Sequence, residues 1–179
     1  MKEDLPIFDE KIWNLNTKQI ELTRLARKLG HEKFSTRAAH YDRTATFPTE
    51  NYKDLFDSGL IGICIPEPSG GHGADFKTYM LTAAEIGRYC GATALTFNMH
   101  VSSCLWSGHL IDNLDIDDND RAEHNINREV HYRRILDDGA IYAQPFSEGG
   151  SAAAGATSFQ TTALRVENGW VVNGKKIFA

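Results

Sequence analysis

The residues best suited to chemistry in this chain lie in a small-residue loop near its carboxyl end, residues 147–151 (SEGGS). Gly149, Gly150 and Ser151 would leave backbone N–H groups exposed, and such groups can bind an anion. The loop could therefore hold a diphosphate. An ordinary mobile loop is the alternative, because an alanine-rich run follows directly.

A second candidate is His100, which lies in an apolar run over residues 92–109. A lone histidine in an apolar helix is more often a satisfied core residue than a catalytic one, because burial favours the neutral ring. Histidine is also a suitable proton donor or acceptor. The sequence leaves both roles open.

Other patterns exclude several classes of protein. Cys64, Cys90 and Cys104 are widely spaced and no HExxH motif is present, so we expect buried thiols in a reducing compartment and no metal site. The net charge of −5 and the scattered basic residues argue against nucleic-acid binding. No apolar run approaches the roughly 20 residues that cross a bilayer, and the amino terminus lacks a secretory pattern. We expect a cytoplasmic protein without a membrane span, or one in an organelle lumen if Met1 is not the native start.

Helical periodicity dominates the first 138 residues. Thr17 is a candidate N-cap, Asp75 another, and Gly59 a candidate C-cap. We expect the segment 112–129, which is rich in acidic residues, to form an exposed connection. Asp120 and Glu123 within it have the spacing of a capping box. The run at 92–109 is apolar nearly all round, which predicts a central helix. The predicted helices cover residues 17–41, with a bend near Gly30, and residues 49–56, 76–90, 92–109 and 128–136.

The pattern changes to strands from residue 140. A strand-like entry over residues 140–146 (AIYAQPF) precedes the loop, and two further strand-like runs meet at Asn168 and Gly169. Asn-Gly supplies the positive φ values of a tight hairpin. A second Asn-Gly at 173–174 is followed by only five residues, 175–179 (KKIFA), so the chain stops in a strand or just past a turn and the polypeptide looks cut. We predict a helical domain over residues 1–138 and an incomplete β domain over residues 139–179.

Three blocks, in this order, resemble the acyl-CoA dehydrogenase family. Residues 59–73 (GLIGICIPEPSGGHG) are similar to the family's GLLGIxxPEEYGGxG, residues 147–151 to its (T/S)EPGxGSD loop, and residues 173–179 (NGKKIFA) to its NGxKxWIT strand. The ordered combination is specific, although no single block is. The resemblance implies a mainly α fold, in which an amino-terminal helical domain is followed by the first strands of a β-barrel.

The resemblance also implies an FAD-dependent oxidoreductase that oxidises the α,β bond of an acyl-CoA-type thioester. The Ser147 hydroxyl and N–H would donate to the flavin pyrimidine edge, where charge collects on reduction, and Ser151 would also contact substrate. The implied cofactor contacts are Gln144, Phe146, Ser147, Gly150, Ser151 and Phe178.

The implied partners are an acyl-CoA or related substrate, an electron-accepting flavoprotein, and further copies of the chain in a homodimer or homotetramer. In the family the catalytic base is a carboxylate of a carboxy-terminal helical domain. We therefore expect the base beyond Ala179, and we expect the chain alone to be inactive.

The chain departs from the family pattern at Gly149, where the family has proline, at Ala152, where it has an acidic residue, and at Phe178, where it has tryptophan. Two structural alternatives therefore stay open: Ser147 is only a turn residue, and Phe178 is an ordinary core aromatic. Two other functions also stay open. One is a flavin-dependent monooxygenase on the same fold, which would use His100 near the flavin, and the other is a degenerate, non-enzymatic binding module.

Overall fold

The computed structural model describes residues 8–149 and 158–177. The chain divides into two compact units, Met1–Tyr142 and Ala143–Ala179. The first unit is helical, and the second contains a two-stranded antiparallel sheet. The predicted fold, mainly α followed by the first β strands, is confirmed.

The predicted bent helix consists of three consecutive segments. Helix α1 (Thr17–Leu29) continues into a π-helical turn, Gly30–Phe34, and then into α2 (Ser35–Thr44). The wider π turn lies at the expected bend, as is usual for an insertion into the α-helical hydrogen-bond ladder. The other helices are α3 (Thr49–Asp57), α4 (Phe76–Gly87), α5 (Gly91–Leu105) and α6 (Asp118–Asp138), with short helical turns at Leu60–Gly62, Glu67–Ser69 and Trp106–Leu110.

The N-cap of α1 is Asn16, so the prediction of Thr17 was wrong. The Asn16 side chain accepts from the Gln19 N–H at 2.9 Å, and the Gln19 side chain accepts from the Asn16 N–H at 3.0 Å. This reciprocal pair satisfies two amide groups of the first turn that have no partner within the helix. Asp75 caps α4 as predicted, because its side chain accepts from the Thr78 N–H.

Helix α6 begins earlier than predicted. Its N-cap is Asp117, which accepts from the Asn119 and Asp120 N–H groups, so the predicted start at residue 128 and the capping box at Asp120 were both wrong. The carboxylates in this first turn favour a helix start, because they lie at the positive end of the helix dipole. The helix ends at Gly139, which has a φ of 67°.

Helix α5, predicted to be central because its sequence is apolar nearly all round, is buried on one face only. Phe97 and Val101 are fully buried where α5 packs in the helical unit, whereas Leu95 is 61% and Met99 40% exposed. Among the described elements, α4 and α2 contact α5. The apolar sequence of a helix therefore does not by itself show which of its faces neighbouring elements bury.

The segment over residues 59–73 is compact because its glycines allow close contact. The C-cap of α3 is Ser58, one residue before the predicted Gly59, and Gly59 is the left-handed residue that follows it, with a φ of 77°. Ile61, Ile63 and Ile65 are buried in the core. A Cβ at Gly71 would lie 2.2 Å from the Ile65 carbonyl oxygen, so only glycine fits there.

The predicted hairpin is present. Strand β1 (Thr162–Val166) pairs with β2 (Gly169–Asn173), with Val166 opposite Gly169. Gly169 has a φ of 144°, but Asn168 is not in the positive region, so only the glycine of the Asn-Gly pair has the expected conformation. Residues 140–146 form no strand, because no described segment pairs with them.

We expect Gly71→Ala to destabilise the chain by about 1–3 kcal/mol, because the added methyl group would overlap the Ile65 and Gly62 carbonyl oxygens. The matched control is Gly91→Ala at the start of α5, where a Cβ meets no atom within 4 Å. The control is expected to stabilise by about 0.4–1 kcal/mol, since alanine restricts the unfolded chain. Urea unfolding of both variants measures the difference, and equal midpoints would contradict the steric explanation.

Candidate functional site

Three of the predicted flavin contacts lie close together in sequence near the start of the second unit, which begins at Ala143. They are Gln144, Phe146 and Ser147. Gly150, Ser151 and Phe178 lie outside the described residues, so their roles remain predictions.

Ser147 has hydrogen-bond donors that no described residue uses. Its carbonyl accepts from the Ile177 N–H at 2.9 Å, which fixes the backbone. Its partly exposed hydroxyl and its own N–H make no hydrogen bond to another described residue. Two donors on a fixed backbone suit an acceptor such as the pyrimidine edge of a flavin. The residues present therefore fit that group.

Aromatic side chains flank this segment. Phe146 is 60% exposed and contacts Phe159 edge to face, with ring centroids 5.4 Å apart. The Lys176 ammonium lies 4.4 Å from the centroid of Phe159. The Phe146 N–H donates to the Gln144 carbonyl at 2.8 Å, which closes a tight turn just before Ser147.

Glu148 holds the candidate site together through contacts that no local sequence pattern predicts. Its carboxylate is almost fully buried, with 4% of the residue exposed. It accepts from Lys176 Nζ at 2.7 Å, from the Thr161 hydroxyl at 2.5 Å and N–H at 3.1 Å, and from the Gln160 N–H at 2.6 Å. The hydrogen bonds from Lys176, Thr161 and Gln160 lower the pKa of Glu148 to about 2.

These contacts join three segments that are distant in sequence. Lys176 Nζ donates to the Phe146 carbonyl at 3.3 Å as well as to Glu148, so it holds both neighbours of Ser147. Gly174 packs on Thr161, where a Cβ would lie 2.2 Å from the hydroxyl oxygen. In the NGKK sequence, Gly174 thus lets the backbone approach Thr161 closely, and Lys176 supplies the cation that binds Glu148. A glutamate next to a Gly-rich loop and a later lysine were the available signals, but nothing local indicated their pairing.

His100 lies in the helical unit and is fully buried. Its Nε2 is 3.0 Å from the Ile61 carbonyl, and the Tyr142 N–H donates to its Nδ1 at 3.1 Å. Nδ1 is therefore the acceptor, and Nε2 carries the proton and donates to Ile61. Burial lowers the pKa of His100, so the ring is neutral at pH 7. Both ring nitrogens are used by backbone groups.

Residues 8–149 and 158–177 contain no cluster of three or more His, Cys, Asp or Glu side chains that could hold a metal ion. Cys64, Cys90 and Cys104 are free, buried thiols, and burial raises the pKa of Cys104 to about 12. None of the helices within these ranges is both long and apolar enough to cross a membrane.

Residues 16–111 match the sequence model of the family described as "Acyl-CoA dehydrogenase, N-terminal domain". An acyl-CoA dehydrogenase of Bacillus subtilis (strain 168) is 26% identical over 172 residues, which is 92% of this chain and 40% of that protein. The structure of butyryl-CoA dehydrogenase from Megasphaera elsdenii superposes with a TM-score of 0.69 at 25% identity, over 92% of this chain and 41% of the other.

The FMN-bound structure of TdsC from Paenibacillus sp. A11-2 also has a TM-score of 0.69, at 19% identity, over 88% of this chain and 36% of that chain. At that identity the likeness concerns the fold alone. The chain spans only about 40% of the length of the Bacillus relative.

The ion pair between Glu148 and Lys176 predicts that the stability of the second unit depends on pH. Because the pKa of Glu148 is lowered in the folded state, its contribution to stability is fully present above the unfolded pKa near 4.5 and is lost as the pH falls towards 2. We expect hydrogen-exchange protection of the Gln160 and Thr161 amides to be constant above about pH 5 and to decrease below it.

In Glu148→Gln the protection of these two amides should be low at every pH, while the amide of Ala94 in α5 serves as an internal control. Nuclear magnetic resonance exchange rates, divided by the intrinsic rates at each pH, measure the effect. Protection that stays constant down to pH 2.5 in the unsubstituted chain would refute the assignment.

Proposed function

The chain belongs to the acyl-CoA dehydrogenase family, and we propose that the full-length protein is an FAD-dependent oxidoreductase that oxidises the α,β bond of an acyl-CoA-type thioester. The observation that supports the proposal is the pair of donors at Ser147 that no described residue accepts from, on a backbone held by Glu148 and Lys176. Such fixed donors stabilise charge that develops on an acceptor during reaction.

In the proposed site, a bound flavin would supply the acceptor for the hydride that leaves the β-carbon. Ser147 would hold the pyrimidine edge through its hydroxyl and N–H. Gln144 and Phe146 would line the ring or its ribityl chain, and Gly150, Ser151 and Phe178 remain proposed contacts. We place the base that removes the α-proton in the carboxy-terminal part of the full-length protein.

The proposal includes the expected partners: an electron-accepting flavoprotein and a second copy or further copies of the chain. It also keeps the expected cytoplasmic location. The alternative of a non-enzymatic binding module predicts that the full-length protein retains no flavin. The absorption spectrum of the purified full-length protein therefore separates the two possibilities.

The geometry of His100 favours a dehydrogenase over a flavin-dependent monooxygenase. The monooxygenase alternative asks His100 to donate or accept a proton near the flavin. Its Nε2–H is donated to Ile61 and its Nδ1 accepts from Tyr142. A buried ring with both nitrogens engaged is suited to holding the fold.

We expect Ser147→Ala to lower the two-electron potential of the flavin in the full-length protein. The loss of one hydrogen bond to a charged acceptor costs about 1–3 kcal/mol, which corresponds to about 20–65 mV. Ser158→Ala, at an exposed position of the same unit, is the control. Spectroelectrochemical titration gives both potentials, and an unchanged potential in Ser147→Ala would leave Ser147 as a turn residue.

We expect His100→Gln to leave oxidation of an acyl-CoA with an artificial electron acceptor within a few-fold of the original rate, and to reduce mainly the stability of the fold. A monooxygenase that used this side chain as an acid or base would lose roughly 10²–10⁴-fold. Oxygen consumption with supplied reduced flavin is measured in parallel. An oxygen-dependent activity that collapses in the variant would overturn the dehydrogenase assignment.

A further inference from the structure

One lysine and the residue after it contact three consecutive residues of the candidate site. Lys176 Nζ donates to the Phe146 carbonyl at 3.3 Å and to Glu148 Oε1 at 2.7 Å. Between these two contacts, the Ile177 N–H donates to the Ser147 carbonyl at 2.9 Å. The backbone at Ser147 is therefore held at its own carbonyl and on both sides, and a single side chain makes the contacts on both sides.

Three groups of the second unit surround the Lys176 ammonium. A lysine has three N–H donors and no acceptor. One donor goes to Glu148 and one to Phe146, and the centroid of the Phe159 ring lies 4.4 Å from Nζ. The face of an aromatic ring attracts a cation at that distance. A flavin that accepts from Ser147 would therefore find the donors of Lys176 already engaged.

The charge of Lys176 is compensated as well. Hydrogen bonds from Lys176 and Thr161 lower the pKa of Glu148 to about 2, so the carboxylate is ionised at neutral pH and the pair has no net charge. The side chains of Lys176 and Glu148 are 24% and 5% exposed. The field of a neutral pair decreases faster with distance than the field of a single charge. Lys176 is therefore better suited to holding the chain in place than to stabilising charge on a ligand directly.

We propose, on the basis of the proposed function, that Lys176 is a positioning residue for the flavin, which acts through Ser147 and not through its own charge. Its ammonium holds the Phe146 carbonyl and the Glu148 carboxylate, and so directs the hydroxyl and N–H of Ser147 between them towards the pyrimidine edge of the flavin.

The test measures the two-electron potential of the flavin in the full-length protein with Lys176→Met and Ser147→Ala, alone and together. We expect Lys176→Met to reduce the preference for reduced over oxidised flavin about tenfold, which corresponds to about 30 mV. In the Ser147→Ala background we expect the same substitution to change this preference less than about twofold, because a residue that acts only through another has no effect once the other is removed. Lys175→Met removes the same charge from the exposed neighbouring position and is the matched control, for which we expect an unchanged potential.

A second variant keeps the test informative if Lys176→Met fails to fold because it leaves Glu148 buried without its cation. Glu148→Gln combined with Lys176→Met removes both charges, so the net charge of the pair stays zero. An electrostatic role predicts an unchanged potential in this double variant. Positioning predicts a lowered potential, because the Phe146 carbonyl loses its donor.

Hydrogen exchange of the Ile177 amide reports on the position of Ser147 without flavin. In the flavin-free full-length protein we expect lower protection of this amide in Lys176→Met than in Lys175→Met, because the Ile177 N–H donates to the Ser147 carbonyl.

The proposal would be overturned by an equal decrease in potential with and without the Ser147 side chain, or by an unchanged potential in both Lys176→Met and the double variant. An equal effect of Lys175→Met on the potential or on exchange would overturn it too. A protein that holds a flavin but does not oxidise an acyl-CoA would contradict the proposed function alone, because potential and exchange need no turnover. A full-length protein that retains no flavin would contradict both.

Discussion

The second unit depends on one buried carboxylate. Taking the Glu148 charge out of water is unfavourable unless other groups replace the lost hydration. Lys176, Thr161 and Gln160 together supply four donors, and they reach Glu148 only when the loop, the entry to β1 and the segment after β2 come together. An isolated two-stranded hairpin is marginal. The carboxylate gives this hairpin a second set of contacts, and the position of Ser147 follows from them.

The helical unit contains a related arrangement. Asp54, 6% exposed, accepts from Lys33 Nζ at 2.5 Å and from Arg37 at 2.7 Å, and so joins α3 to the π turn and α2. Burial raises the pKa of Asp54, but the two cations outweigh it and the net pKa is lowered. The neighbouring Asn51 amide donates to the Thr93 hydroxyl at 2.8 Å at the start of α5. Polar groups thus fix the relative positions of helices whose apolar faces alone permit sliding.

Local features were predictable from sequence, and long-range ones were not. The Asp75 cap, the turn at Gly59 and the hairpin at Gly169 each depend on a few adjacent residues, and all three are present. The start of α6 was missed because several acidic residues compete for the cap, and only the backbone conformation selects Asp117. The contacts of Glu148 with Lys176 could not be predicted, because 28 residues separate the two and no periodicity relates them.

The contrast between His100 and Ser147 carries the functional argument. Both are polar residues in sequence contexts that permit catalysis, and both are held by backbone contacts. In His100 those contacts use every ring nitrogen, so the residue contributes to the fold. In Ser147, which is partly exposed, the carbonyl is used, and neither the hydroxyl nor the N–H is bound by a residue in 8–149 or 158–177. Folded proteins satisfy their polar groups wherever they can. We therefore propose that Ser147, whose two donors no described residue accepts from, lies where a ligand completes the structure.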